Sequence, residues 1–178
     1  MIAFAMYAGN MKVAREVINA IPRKRLFTQI EPDGKQPHEL RRTLAFGYSQ
    51  FNLSHFIDIF MMARKIGISI DNATSEDGRS FYKAMDFLVP YVGKDVKAWP
   101  YQQISEWKYK QQEFCKDLYR TFLLNPERKD YLKLYKTHRI IDWKDRFNLL
   151  WMEADDVDNA YAFACGQLQF AMQCAAKA

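Results

Sequence analysis

The chain has 178 residues, 49% of them apolar and 26% charged, enough for one sizeable core and too few for two comfortable domains. Seven glycines and six prolines argue against a β-sandwich with its many turns, and long periodic stretches favour helices. The net charge of +5 suits an anionic partner: an acidic polysaccharide, a nucleic acid or a lipid surface.

Residues 11–21 place Val13, Val17, Ile18 and Ile21 on one helical face, and Pro22 perturbs or ends that helix. A loop is expected from Thr28 to Pro37, with turn chemistry in Glu31-Pro32-Asp33-Gly34. A long helix over about 45–66 follows, with Leu53, Phe56, Ile57 and Phe60 at i, i+3, i+4, i+7 spacing and Gly67 closing it. Asp77-Gly78 begins the next, with Phe81, Met85, Leu88 and Val92 inward and Pro90 bending its last turn. Pro100 introduces another, with Ile104, Trp107, Gln111, Phe114, Leu118 and Phe122 down one side and Pro126 stopping it. Tyr131, Leu134 and Tyr135 mark a shorter helix, and Asp158 to Ala176 a final Ala-rich one. Phe147 to Met152 is an ambiguous apolar run. The pattern predicts a single all-α domain over 1–178, built of helical hairpins.

The charge is unevenly spread: +4 over residues 1–42, zero over 43–104, +4 over 105–146 and −3 beyond. No nucleic-acid motif accompanies it, and no apolar run approaches the ~20 residues that span a bilayer. Nucleic acid and membrane insertion are therefore set aside. Lys108, Lys110, Arg128 and Lys129 suit either a path for a polyanion or a solvated face. Cys115, Cys165 and Cys174 lack metal-finger spacing and suit buried small hydrophobes. No metal or cofactor site is expected. Met1-Ile2-Ala3-Phe4-Ala5-Met6 lacks the basic start of a signal peptide, which makes the chain cytoplasmic if it is the whole product.

The chemistry concentrates in Gln36-Pro37-His38-Glu39-Leu40-Arg41-Arg42-Thr43, with Tyr48 and Asn52 downstream. A guanidinium fork binds a carboxylate bidentately. A phenol beside a cation can take and return a proton. Together they suit β-elimination on a polyuronate: the carboxylate is neutralised, the C5 proton leaves, and the leaving O4 is protonated. Arg before a helix also serves plain surface geometry, and Tyr in a first turn also packs. Trp99 and Tyr101 flank Pro100 and suit either sugar stacking or a packing cluster. His38 sits in the same loop as the arginines, His55 two turns beyond Tyr48, and His138 at a helix end.

The runs Gln29-Ile30-Glu31-Pro32-Asp33-Gly34-Lys35-Gln36-Pro37-His38-Glu39-Leu40-Arg41-Arg42-Thr43 and Phe46-Gly47-Tyr48-Ser49-Gln50-Phe51-Asn52-Leu53 resemble the alginate lyase domain of bacterial polysaccharide lyases. So do Asp77-Gly78-Arg79-Ser80, Ala84-Met85-Asp86-Phe87-Leu88 and Trp99-Pro100-Tyr101-Gln102-Gln103-Ile104. The resemblance covers roughly residues 1–105; the remainder fits as generic helices. It implies an incomplete (α/α) toroid and metal-independent eliminative cleavage of alginate or a related polyuronate, in the periplasm or outside the cell. Arg42 matches the family's arginine by its Glu-Leu-x-Arg-Thr context, with Arg41 one residue off, and Tyr48 matches its catalytic tyrosine. The family's Asn-His pair has no counterpart before Tyr7, so the chain corresponds to the C-terminal part of such a domain.

The expected site is then Tyr48 and Arg42 as catalytic residues, with Arg41, His38, Gln36, Asn52, Trp99 and Tyr101 binding an acidic polysaccharide. Two alternatives stay open: a polysaccharide-binding remnant without chemistry, and a structural helical interaction domain. Apolar faces left uncovered would lead to self-association.

Overall fold

The computed structural model describes residues 1–140 and 145–147. The expected helix over Asp158–Ala176, Cys165 and Cys174, and all of the Phe147–Met152 run but its first residue lie outside them. The chain divides into two compact units, Met1–Arg139 and Ile140–Ala178. The first holds α1 (Ile2–Tyr7), α2 (Met11–Ile21), α3 (Phe27–Gln29), α4 (Pro37–Leu40), α5 (Ala45–Lys65), α6 (Phe81–Leu88), α7 (Trp107–Leu124) and α8 (Lys129–His138). No strand occurs among the described residues, as the helical periodicity predicts.

The Asn10 side chain caps α2 by accepting from the Val13 amide at 3.2 Å. Ala14, Ile18 and Ile21 are buried, with Val13 and Val17 half-buried beside them. Pro22 perturbs the helix without ending it: a wide π turn, Pro22–Leu26, carries the chain on into α3. Proline lacks an amide hydrogen and crowds the preceding turn, and the wider winding absorbs both. Helix thus extends into the segment expected as loop, and α4 forms at its far end.

The remaining loop is a clip. The Glu31 amide bonds the Lys35 carbonyl at 2.8 Å, and the Gly34 amide bonds the Glu31 carbonyl at 2.9 Å. Gly34 has φ +86°, and a Cβ there would lie 2.2 Å from the carbonyl oxygen of Lys83 in α6. Lys83 returns an ammonium bond to the Pro32 carbonyl at 3.0 Å. Arg79 donates to the carbonyls of Phe27 and Ile30 at 3.3 Å each and pairs with Glu31 and Asp77. The Glu-Pro-Asp-Gly turn is thereby fastened to the start of α6, which Ser80 caps rather than Asp77-Gly78.

α5 is the central element, in contact with α4, α6 and α7. Leu53, Phe56, Ile57 and Phe60 are buried along it. Phe60 meets Phe81 of α6 edge-on at 5.0 Å, and Phe46 meets Trp99, Trp107 and Phe114 edge-on at 5.0 to 5.8 Å. Between α5 and α7 sits a buried carboxylate, Asp117, which accepts from the Gln50 amide at 2.6 Å and from Arg120 at 3.3 Å. Burial dominates its surroundings and pushes its pKa up to about 6. α8 packs on α7, with Tyr135 stacked on Tyr119 at 4.7 Å.

α7 begins at Trp107 and not near Pro100. Ile104, expected on its inner face, is 66% exposed. The backbone of residues 102–104 bonds to the start of α5 instead of winding into a helix.

Two measurements test this packing. Gly34→Ala should lower the stability of the fold by about 2 kcal/mol or more, because the methyl meets a backbone oxygen and the left-handed φ is strained. An unchanged urea midpoint would contradict the clip. Asp117 binds its proton more tightly in the folded than in the unfolded chain. Its contribution to stability is therefore full below about pH 4 and is lost as pH rises towards 6. Relative to Asp117→Asn, the parent chain should lose on the order of 2–3 kcal/mol between about pH 4 and pH 7. A difference that does not vary with pH would refute the buried, proton-holding carboxylate.

Candidate active site

Leu44 precedes α5 and offers no capping side chain. The amides of the first turn need partners nonetheless. Ala45 donates to the Gln102 carbonyl at 3.0 Å, and Phe46 and Gly47 donate to the side-chain oxygen of Gln103 at 3.1 and 3.4 Å. The Ile104 amide reaches back to the Thr43 carbonyl at 3.1 Å, and Leu44 and Gln103 form an antiparallel bridge. A segment nearly sixty residues away thus caps the helix and fixes the turn that carries Arg41 and Arg42.

The Arg42 guanidinium lies over the Tyr48 ring, 3.5 Å from its centroid. A guanidinium placed over a ring contacts it through its face, and its N–H groups stay free to donate. Arg42 is exposed and Tyr48 half-buried. Among the described residues, neither the Arg42 guanidinium nor the Tyr48 hydroxyl has a protein hydrogen-bond partner. The pair is available to a ligand.

The other expected binding residues divide among three recesses and the interior. His38, Arg41 and Tyr101 line an open cleft of about 820 Å³ together with Lys35. Arg41 donates to His38 Nδ1 at 2.8 Å; a guanidinium only donates, so the proton of the neutral ring sits on Nε2. Tyr48 lines a second recess of about 250 Å³ with Leu44, Gly47, Phe51, Glu106 and Lys110. Asn52 lines a third, of about 200 Å³, with Arg25, Gln29 and His55. Gln36 is 1% exposed: its amide nitrogen donates to the Ser49 carbonyl at 3.2 Å, and its oxygen accepts from Asn52 at 2.8 Å. Asn52 also donates to Gln29 at 3.1 Å. Trp99 is 5% exposed and lies within an aromatic cluster, 5.1 Å from Tyr101 and 4.7 Å from Tyr91. The structure therefore places Gln36 and Trp99 behind the surface, where polar satisfaction and ring packing hold them, and Tyr101 on it.

The remaining candidates lie elsewhere. His55 donates from Nδ1 to the Phe51 carbonyl at 2.8 Å, two turns along α5 from Tyr48. His138 ends α8, its ring so close to Gly93 that a Cβ there would meet it at 2.2 Å. Arg128 is held by Asp86 and by Asp130, the latter at 2.8 Å. Cys115 is buried, and burial pushes its thiol up to about 12. Among the described residues, no three potential metal ligands gather. Sequence reasoning missed Gln103 as the cap and Glu106 and Lys110 as neighbours of Tyr48. The local signal for Lys110 is a glycine inside a helix, at position 47.

A model of the alginate lyase family matches residues 1–99. The chain also superposes on the crystal structure of an alginate lyase from Bacteroides ovatus with a TM-score of 0.81 and 46% identity, over 85% of this chain. The chain belongs to the alginate lyase family. It spans 40% of the length of that structure's chain. No curated protein matches it. The helical fold is accordingly that of part of an alginate lyase, consistent with an incomplete toroid of helical hairpins, and Arg42 and Tyr48 fall within residues 1–99. Gln103 and Lys110 fall beyond them.

Gln36→Ala removes a buried donor and acceptor at once. It should cost about 1–3 kcal/mol of stability, since the Ser49 carbonyl loses its side-chain partner and Asn52 loses one of two. A melting temperature equal to that of the parent would show that Gln36 is not the support its contacts describe.

Proposed function

We propose that this alginate lyase family chain cleaves a polyuronate, alginate or a close relative, by β-elimination. The observation that carries this is the Arg42 guanidinium stacked on the Tyr48 phenol at 3.5 Å with its N–H edge uncommitted. A uronate carboxylate meeting that edge is neutralised by a bidentate bond. Neutralisation stabilises the enolate-like species that forms when the C5 proton leaves. Tyr48, acting as phenolate, takes that proton. The C5–H electron pair becomes the C4–C5 double bond, the C4–O4 bond breaks, and the Tyr48 phenol returns the proton to O4. Tyr48 ends as it began, and no water is consumed. One residue serving as base and acid implies that proton and leaving group depart from the same face.

His38, Arg41 and Tyr101 border the neighbouring cleft and serve the flanking sugars. Arg41 supplies positive charge, and Tyr101 supplies a ring on which a sugar face can stack. Gln36 and Trp99 support this wall from inside. Asn52 binds Gln29 and Gln36, and its part in the reaction is to hold the loop that carries His38 against α5.

The test is the ultraviolet absorbance of the unsaturated uronate that elimination creates, followed with polymannuronate, polyguluronate and polyglucuronate. The parent chain should produce a rise on at least one substrate. Tyr48→Phe should reduce it by at least ~100-fold while leaving affinity for the same polymer within about threefold. A folded parent chain that produces no rise, or a variant that loses binding and elimination equally, would overturn the proposal.

A further inference from the structure

Lys110 shares a recess with Tyr48 and has no role in the chemistry above. Three features fix where it stands. Glu106, the residue before α7, has φ +59°, a left-handed conformation rare for a residue with a side chain. Its carbonyl accepts from the Lys110 amide at 2.9 Å, so this bend sets the first turn of α7. The bend is held by Gln103, which donates to the Ser105 carbonyl at 2.8 Å while its oxygen caps α5. Helical side chains project back towards the N-terminus of their helix, so Lys110 extends over the start of α5.

There it meets Gly47. A Cβ at position 47 would lie 3.1 to 3.3 Å from Cγ, Cδ and Cε of Lys110, closer than ordinary contact. Gly47 lacks the positive φ that would otherwise explain a glycine, and glycine in a helix costs up to about 1 kcal/mol against alanine. Its small size makes room for the lysine stem, one residue before Tyr48. The ammonium lies 5.0 Å from the Tyr109 ring, and among the described residues no carboxylate pairs with it. A half-buried stem ending in an uncommitted cation is suited to an anion entering the recess.

We propose that Lys110 binds the carboxylate of a second uronate, next to the one held by Arg42, and so selects chains with consecutive acidic sugars. This rests on the elimination reading for the identity of the ligand. The Glu106 carboxylate on the same recess cannot hold a second carboxylate; it accepts from sugar hydroxyls.

Binding of a uronate trisaccharide and of a neutral glucose trisaccharide to the full chain carrying Tyr48→Phe, which binds without cleaving, can be measured by calorimetry, beside Lys110→Met and Lys110→Arg in the same background. The methionine variant keeps the stem and loses the charge. It should bind the uronate trisaccharide about tenfold more weakly, with an unchanged melting temperature, and the arginine variant should recover most of that loss. The neutral trisaccharide should bind all three chains alike. Equal uronate affinity in the methionine variant, an equal loss for the neutral sugar, or a loss that follows a lowered melting temperature would overturn the proposal. Calorimetry does not depend on turnover, so absence of the absorbance rise would sink the elimination reading while this result still decides the role of Lys110.

Discussion

The start of α5 depends on hydrogen bonds that its own sequence cannot make. Leu44 offers no capping oxygen, and the amides of Ala45, Phe46 and Gly47 are satisfied by Gln102 and Gln103. Unpaired, buried amides of this kind would each cost about 1–3 kcal/mol. Through this cap one remote glutamine ties together the turn that presents Arg42, the helix that presents Tyr48 and the bend that launches Lys110. Phe46, in the same turn, is fully buried among Trp99, Trp107 and Phe114, so the capped turn is also anchored from beneath.

Behind that turn the polar groups are largely committed. Arg64 is bonded to Asp71 and the Leu124 carbonyl, Arg79 to the Glu31 loop, Arg120 to Asp58 and Asp117, and Arg128 to Asp86 and Asp130. Gln36, Asn52 and Ser49 close a network between loop and helix. The side chains of Arg42, Tyr48 and Lys110 differ from these groups in having no hydrogen-bonded or ion-paired protein partner among the described residues. The difference separates scaffold from working surface on physical grounds: a committed side chain must break existing bonds to meet a substrate, whereas an uncommitted one only exchanges water.

Local periodicity carried much of the fold. The apolar spacing of Leu53, Phe56, Ile57 and Phe60 placed α5 within a residue or so of its observed ends, because a buried helical face must repeat at that interval. Positions 100–106 were not legible in the same way. Pro100 and Ile104 fit a helical start locally, but the backbone there is claimed by α5, and a tertiary hydrogen bond leaves no trace in local spacing. Pro22 misleads in the opposite sense, since a π turn lets the chain wind on past it. At the site, residue type and spacing brought out Arg42 and Tyr48, six residues apart across the turn into a helix. The same reasoning named Gln36 and Trp99 as sugar-binding candidates, with a packing cluster as the other reading of Trp99. Their polar and aromatic character suits a sugar, but it equally suits a buried network and a ring cluster, and only packing distinguishes these. Lys110 lies more than sixty residues from Tyr48 in sequence, and Gly47 hints at it only once its neighbour is known.

The central claim is that Arg42 and Tyr48 act as one unit, the cation holding the carboxylate whose α-proton the phenol removes. The most direct test is a double-mutant cycle on the rate of unsaturated uronate formation, using the parent chain, Arg42→Lys, Tyr48→Phe and the two combined. Residues acting as a unit give losses that do not multiply, so the double variant should be about as slow as the slower single one. Losses that multiply, or a single variant as fast as the parent, would contradict the account.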